Sequence, residues 1–226
     1  YYEDQVAILY LKIALGEISP SSQIKYVIID EAQDYTPLQY EIFYELFKSA
    51  KMTILGDINQ SINPFMNVGD YNNIYNISKS DTCIINLTKT YRSTAEITKF
   101  ARKLLPENIS DEYVERHGDE PSLIDFNHKD DMNKKLVEEI KNYQEKNYKS
   151  IGIITKTARE TIYLYNLLQS NNIEVSSITK DDDSFTDGIV VIPSYLAKGL
   201  EFDVVFIYDA SNKNYNSEDE RLLLYT

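Results

Sequence analysis

Eight short apolar runs rich in Ile and Val recur along the chain, and most are separated by enough residues for one helix. They are "KYVIID" at 25–30, "MTILGD" at 52–57, "CIINL" at 83–87, "SLIDF" at 122–126, "SIGIIT" at 150–155, "IEVSSI" at 173–178, "GIVVIP" at 188–193 and "DVVFIY" at 203–208. Runs this short and this apolar fit strands buried on both faces of a parallel sheet. Helical periodicity fills the intervals at 3–15, 37–48, 94–105, 131–146 and 157–170. The clearest helix is 37–48. Thr36 can cap it, Pro37 suits its first position, and Gln39 completes a capping box. Leu38, Ile42, Phe43, Leu46 and Phe47 then share one apolar face. The alternation predicts an α/β fold of parallel sheets flanked by helices. Three polar stretches, 106–121, 179–188 and 211–220, are expected to be surface segments.

The 226 residues suffice for one large domain or two small ones. The net charge of −13 argues against a broadly basic surface that coats nucleic acid. Residues 1–83 carry 5 basic and 11 acidic side chains and residues 84–226 carry 18 and 25, so neither half is basic. Any nucleic-acid contact must be a local groove, or must come from segments of a longer protein outside this chain. The single cysteine, Cys83, excludes an internal disulfide and fits a reducing, cytoplasmic compartment. No apolar run approaches the roughly 18 residues that cross a bilayer, so no membrane partner is expected. The chain opens on Tyr1 and closes in "RLLLYT", and it reads as a piece of a longer protein.

Ligands of parallel α/β sheets bind at the carboxyl ends of strands. "YVIIDEAQD" delivers Asp30 and Glu31 to such an end. An Asp there can hold Mg²⁺ through water, because this ion keeps most of its own waters. A neighbouring Glu can orient or deprotonate a water. "MTILGDINQ" sets Gly56 and Asp57 at the next strand end, with Gln60 three residues on. "LTKTYRSTAEI" presents Tyr91 and Arg92 just before a helix cap, a pairing able to stack on a base and to fork onto phosphate. "YLAKGLEFD" puts Lys198, Gly199 and Glu201 in a turn between two apolar strands. Taken singly, each stretch also fits a polar turn at the end of a strand.

In this order, the segments resemble the UvrD/Rep-type superfamily 1 helicases. "IIDEAQD" is similar to their Walker B motif, "LGDINQSI" to the glutamine-bearing third motif, "TKTYRS" to the fourth, "AKGLEFD" to the fifth, and "RLLLYT" to the opening of the sixth. "EDQVAILYLKIALGE" and "IPSYLAKGLEFD" resemble the HelD-like branch, as does the interval of about 90 residues between the fourth and fifth motifs. The resemblance implies a RecA-like P-loop NTPase fold. Residues 1–84 would be the C-terminal part of a first RecA-like domain, and 85–226 a near-complete second one.

It also implies ATP and Mg²⁺ as cofactors and single-stranded DNA, with RNA polymerase, as partners. Carried across, Asp30 coordinates Mg²⁺ and Glu31 is the catalytic base. Gln60 senses the terminal phosphate, Tyr91 stacks on adenine and Arg92 contacts the γ-phosphate. Lys198, Gly199 and Glu201 link the nucleotide to the second domain. No GxxxxGK(S/T) loop and no sixth-motif arginine occur in the chain, so it is expected to be inactive by itself. Asn63 and Tyr195 stand where the family often has an aromatic and a His; Phe65 or Tyr195 could supply a stacking face for DNA.

Three other readings stand beside this one: a conventional 3′–5′ DNA helicase, a non-catalytic RecA-like binding module, and a metal nuclease built on Asp125, Glu139 and Lys141. The last needs Glu139 and Lys141 on a strand, yet 131–146 reads as an amphipathic helix. His117 and His128 lack the spaced partners of a zinc site.

Overall fold

The computed structural model describes residues 2–61, 67–78, 82–87, 89–105, 112–113, 116–178, 188–217, 220 and 223–225. The chain divides into two units, Tyr1–Lys89 and Thr90–Thr226.

In the first unit, helix α1 (Tyr2–Ala14) precedes strand β1 (Tyr26–Ile29), helix α2 (Pro37–Leu46), strand β2 (Lys51–Ile54) and helix α3 (Tyr71–Ile77). Strands β1 and β2 pair in parallel, with Tyr26 opposite Lys51 and Ile29 opposite Ile54. The capping box of α2 is present. Gln39 N–H donates to Thr36 Oγ1 at 3.4 Å, and Thr36 N–H donates to Gln39 Oε1 at 2.8 Å. The helix stops at Leu46, two residues before its expected end. Its deepest residue is Tyr40, fully buried, whose hydroxyl donates to the Ala32 carbonyl at 2.6 Å. Around it gather Ile29, Ala32, Val68 and Ile74. Full burial of a side chain of this size contributes about 1.5–3 kcal/mol. β1 is not buried on both faces as expected. Its burial alternates, with Tyr26 and Ile28 each 72% exposed. Helix α3 was not expected. Its sequence "YNNIYNI" turns Tyr71, Ile74 and Ile77 onto the core, with Ile74 the one fully buried; it starts because Asp70 caps it, accepting from Asn72 N–H at 2.8 Å.

In the second unit, a small two-stranded sheet joins β3 (Lys89–Thr90) to β4 (Glu112–Tyr113), with helix α4 (Ala95–Ala101) between them in the chain. Then come α5 (Lys129–Glu145), β5 (Ser150–Thr155), α6 (Ala158–Ser170), β6 (Ser176–Ser177), β7 (Gly188–Pro193), the short α7 (Ser194–Ala197) and β8 (Val204–Ile207). The sheet order is β6-β7-β5-β8, and every neighbouring pair is parallel. Ile151 of β5 lies between Ile189 and Val204. One apolar cluster takes Leu136 and Ile140 from α5, Leu164 and Leu168 from α6, and Ile151, Ile153, Ile189 and Val191 from the strands. The next residue of β5, Gly152, points the other way, as strand alternation requires. The ring of Phe202 covers it.

Two apolar runs are not strands. Residues 83–87 and 122–126 have no ladder partner among the described residues. Ile85, Leu87 and Leu123 are 77%, 84% and 72% exposed. A run with β propensity becomes a strand only where a neighbour offers its main-chain groups. For the same reason β6 shrinks to two residues, with β7 as its one partner. The expected surface segment 179–188 lies almost wholly outside the described residues, as does most of 106–115.

Candidate functional site

In the first unit, the chain leaves β1 through Glu31, which sits in the left-handed region at φ 50, ψ 44. Such a conformation costs a non-glycine residue of order 1–2 kcal/mol and persists only where its surroundings hold it. They do. Ala32 N–H donates to the Leu55 carbonyl at 2.9 Å, so the turn is tied to the end of β2. Asp30 Oδ1 accepts from Glu31 N–H at 2.9 Å.

Gln33 is 1% exposed and joins the two strand ends. Its Nε2 donates to Glu31 Oε2 at 2.6 Å, and its Oε1 accepts from Asp57 N–H at 2.9 Å. Gly56 makes room for that amide: a Cβ on it would stand 2.5 Å from Gln33 Oε1 and 2.7 Å from the Tyr71 hydroxyl. Asp57 then organises the turn that follows, Oδ1 accepting from Asn59 N–H at 3.0 Å and Oδ2 from Gln60 Nε2 at 2.9 Å. Asp30, Glu31 and Gln60, all expected at the site, thus share one hydrogen-bonded neighbourhood. Gln33 and Tyr71, which complete it, were not assigned roles from sequence. The signal for Gln33 was its place two residues after Glu31; Tyr71 had none.

Among the described residues, no three His, Cys, Asp or Glu side chains converge to hold a metal ion. A single carboxylate at a strand end, as Asp30 is, is the kind of donor Mg²⁺ takes, since that ion keeps most of its own waters. Asp30 is exposed at the strand end, with Oδ1 engaged by the main chain.

In the second unit, Arg92 Nε donates to Glu201 Oε1 at 3.0 Å. The pair joins two residues that stand far apart in sequence, and both side chains are exposed, at 61% and 70%. Tyr91 beside it is 70% exposed. The main chain here is pinned by the start of α4. Thr94 caps the helix, Ala95 N–H donates to the Arg116 carbonyl at 2.8 Å, and Arg116 Nη1 reaches the Arg92 carbonyl at 3.4 Å. Glu96 accepts from Gly118 N–H at 2.9 Å and faces His117 Nδ1 at 2.7 Å. These bonds, His117 first, hold the Glu96 carboxyl down at about 2.

Lys198 and Gly199 follow α7, and Gly199 has φ +83, a conformation that favours glycine. The turn is anchored at its far end. Phe202 lies on Gly152, and Asp203 Oδ2 accepts from the N–H groups of Lys149 and Ser150 at 3.3 and 3.1 Å. Tyr195 is half-buried in α7. Phe65 and Asn63 lie outside the described residues.

A second polar cluster, not foreseen from sequence, forms where β5 and β8 end. Lys156 Nζ donates to the Asn214 carbonyl at 2.5 Å and to Glu220 Oε1 at 2.6 Å. Glu160 Oε2 accepts from Lys156 N–H at 3.0 Å, and its other oxygen accepts from Asn214 Nδ2 at 3.2 Å. The Lys156 ammonium holds the Glu220 carboxyl below its ordinary value.

Known proteins align with this arrangement. The UvrD/REP helicase N-terminal domain family matches residues 19–82, and the UvrD-like helicase C-terminal domain family matches residues 85–183. The chain is 29% identical over 224 residues to the "Putative ATP-dependent DNA helicase R568" of Acanthamoeba polyphaga mimivirus, covering 90% of this chain and 32% of that protein. It is 34% identical over 97 residues to the ATP-dependent DNA helicase Rep of Buchnera aphidicola, covering 42% of this chain and 15% of that protein. Among solved structures, the C-terminal domain of a possible DNA helicase from Lactobacillus plantarum superposes with a TM-score of 0.51 at 33% identity, covering 60% of this chain and 78% of that one. The chain spans about a third or less of the curated relatives it matches. With both halves of the helicase signature matched in order, on an α/β fold of parallel sheets, the chain belongs to the UvrD/Rep-like family of superfamily 1 helicases.

Proposed function

We propose that this chain is part of an ATP-dependent superfamily 1 DNA helicase or translocase, with residues 1–84 from its first RecA-like domain and 85–226 from its second. The observation that carries the reading is the linkage Glu31–Gln33–Asp57–Gln60, which ties the carboxylates at one strand end to the glutamine at the next. Phosphoryl transfer is catalysed by positioning and electrostatics, so a rigid acidic exit beside a phosphate-sensing amide is the arrangement it needs. Asp30 would hold Mg²⁺ through water, and the ion, when bound, neutralises phosphate charge. Glu31 orients the attacking water and takes its proton. Its carboxylate is oriented by the Gln33 amide, which donates to Oε2. Gln60 reports the terminal phosphate. Tyr91 presents an exposed ring for adenine, and Arg92 its guanidinium for phosphate, with Glu201 holding it in reserve. Lys198 and Gly199 complete the link.

Within the family we favour the HelD-like branch, in which ATP hydrolysis remodels a nucleic-acid or RNA polymerase complex. The short interval between Arg92 and Lys198 and the acidic balance support it. The test is ATP turnover by the full-length protein alone, with single-stranded DNA, and with RNA polymerase, with Glu31→Gln as control. Strong stimulation by DNA alone favours a conventional 3′–5′ helicase. A polymerase-dependent change favours the HelD-like branch. Absence of any turnover that depends on Glu31 sinks both and leaves a non-catalytic binding module.

A further inference from the structure

The Tyr71 hydroxyl is buried among the residues that link the two strand ends and has no hydrogen-bond partner among the described residues. Tyr71 opens α3, capped by Asp70, and its ring packs on the cluster of Ile29, Ala32 and Tyr40. The hydroxyl stands 2.7 Å from the point a Cβ on Gly56 would occupy, so the absence of a side chain at position 56 is what admits it. The carboxylates of Asp57 and Glu31 are close enough to act on it. Burial first, then Asp57 and Glu31, push the phenol up to about 12, so at neutral pH it is a donor with its proton in place. A buried donor without an acceptor is destabilising, and a phenylalanine of the same shape would avoid that cost. Meanwhile Asp57 has both oxygens engaged, and one of them is held by the Gln60 amide.

These two facts fit together. If Gln60 reads a phosphate, its amide must leave Asp57 Oδ2, and that oxygen then needs another donor. We propose that Tyr71 is a positioning residue of the nucleotide site, whose hydroxyl takes up the Asp57 carboxylate when the Gln60 amide turns away from it. Tyr71 then holds the Gly56–Asp57 turn in place through the exchange, and Gln33 keeps its bond to Asp57 N–H in both arrangements. The inference rests on the reading of Gln60 given above.

The test is Tyr71→Phe in the full-length protein, beside Glu31→Gln. Tyr71→Phe is expected to lower kcat for ATP about tenfold, the scale of one hydrogen bond to a charged group, with KM for ATP unchanged. Its melting temperature is expected to stay level or rise, so lost folding cannot account for the lost rate. In the unsubstituted protein, a ¹³Cζ label on Tyr71 should shift when a non-hydrolysable ATP analogue and Mg²⁺ are added. A Tyr71→Phe variant with kcat within twofold of the parent, or a label that does not respond to nucleotide, overturns the proposal. Where Glu31→Gln abolishes turnover and Tyr71→Phe does not, only the role of Tyr71 falls; where Glu31→Gln leaves turnover intact, the functional reading and this inference fall together.

Discussion

The ring of Phe202 rests on the bare backbone of Gly152: a Cβ on that glycine would stand 2.7 Å from Cδ2 and 2.8 Å from Cγ. Phe202 closes the turn that carries Lys198, Gly199 and Glu201, and Gly152 is in the central region of the sheet between β7 and β8. The turn therefore takes its position from a glycine about fifty residues earlier in the chain. Gly152→Ala is expected to force the ring outward and to cost about 1–3 kcal/mol, the usual range for overpacking. Thermal unfolding should record it as a melting point several degrees lower; an unchanged melting point would mean the ring gives way freely.

Gln33 bonds to both Glu31 and Asp57. Gln33→Leu keeps its approximate volume and removes both bonds, leaving Asp57 N–H and Glu31 Oε2 without this partner. Stability should fall by about 1–3 kcal/mol in urea unfolding. ATP turnover by the full-length protein should fall at least tenfold, because the Glu31 carboxylate loses its orienting donor. Unaltered turnover would exclude Gln33 from the site.

Glu201 and Arg92 are both well exposed, so their ion pair adds little to folding, about 0–1 kcal/mol at most. Glu201→Gln should leave the melting temperature within a degree or two. It should alter the apparent affinity for ATP in the full-length protein if Arg92 is handed between the carboxylate and phosphate. A variant with unchanged ATP kinetics would argue that the pair is incidental.

Glu96 carries a pH signature. Its carboxyl is held at about 2 by His117 and Gly118, against an ordinary value of 4.5. The folded state thus binds its proton less readily than the unfolded chain. The stabilisation from Glu96 is complete above about 4.5 and is lost as pH falls toward 2. Unfolding measured across that window should show Glu96→Gln less stable than the parent at its upper end, with the difference vanishing at its lower end. A difference that is constant with pH would refute the assignment.

Lys156 and Glu220 are half-buried, with side-chain exposures of 18% and 31%. Removing one partner strands the other. Lys156→Met is expected to lower stability by about 1–3 kcal/mol. Lys156→Met with Glu220→Gln should cost less than the two single changes added together, which a double-mutant cycle measures directly.

Local chemistry was legible in the sequence. The capping box of α2 depends on residues three apart and formed as its spacing implied; α6 carries a second one, Thr157 with Glu160, that was not read from the sequence. The strands 150–155 and 188–193 lie within one residue of their apolar runs, because each finds partners on a common sheet. "CIINL" and "SLIDF" have the same composition without such partners, and composition cannot reveal whether a neighbour is present. Among the candidate residues, Asp30, Glu31 and Gln60 of the first unit and Arg92 and Glu201 of the second stand out in the sequence as polar residues near the ends of apolar runs. Tyr71 does not: it is one of 19 tyrosines, on a short asparagine-rich helix, and its relation to Gly56 exists only in three dimensions.

The left-handed backbone at Glu31 sets folding and chemistry against each other at a single codon. Glycine or asparagine adopts that conformation with less strain than glutamate. A library varied at position 31 and selected only for soluble, folded protein should therefore drift toward those two residues. The same library selected for ATP turnover should return glutamate, and the gap between the two outcomes would measure how much stability this position gives up for its carboxylate.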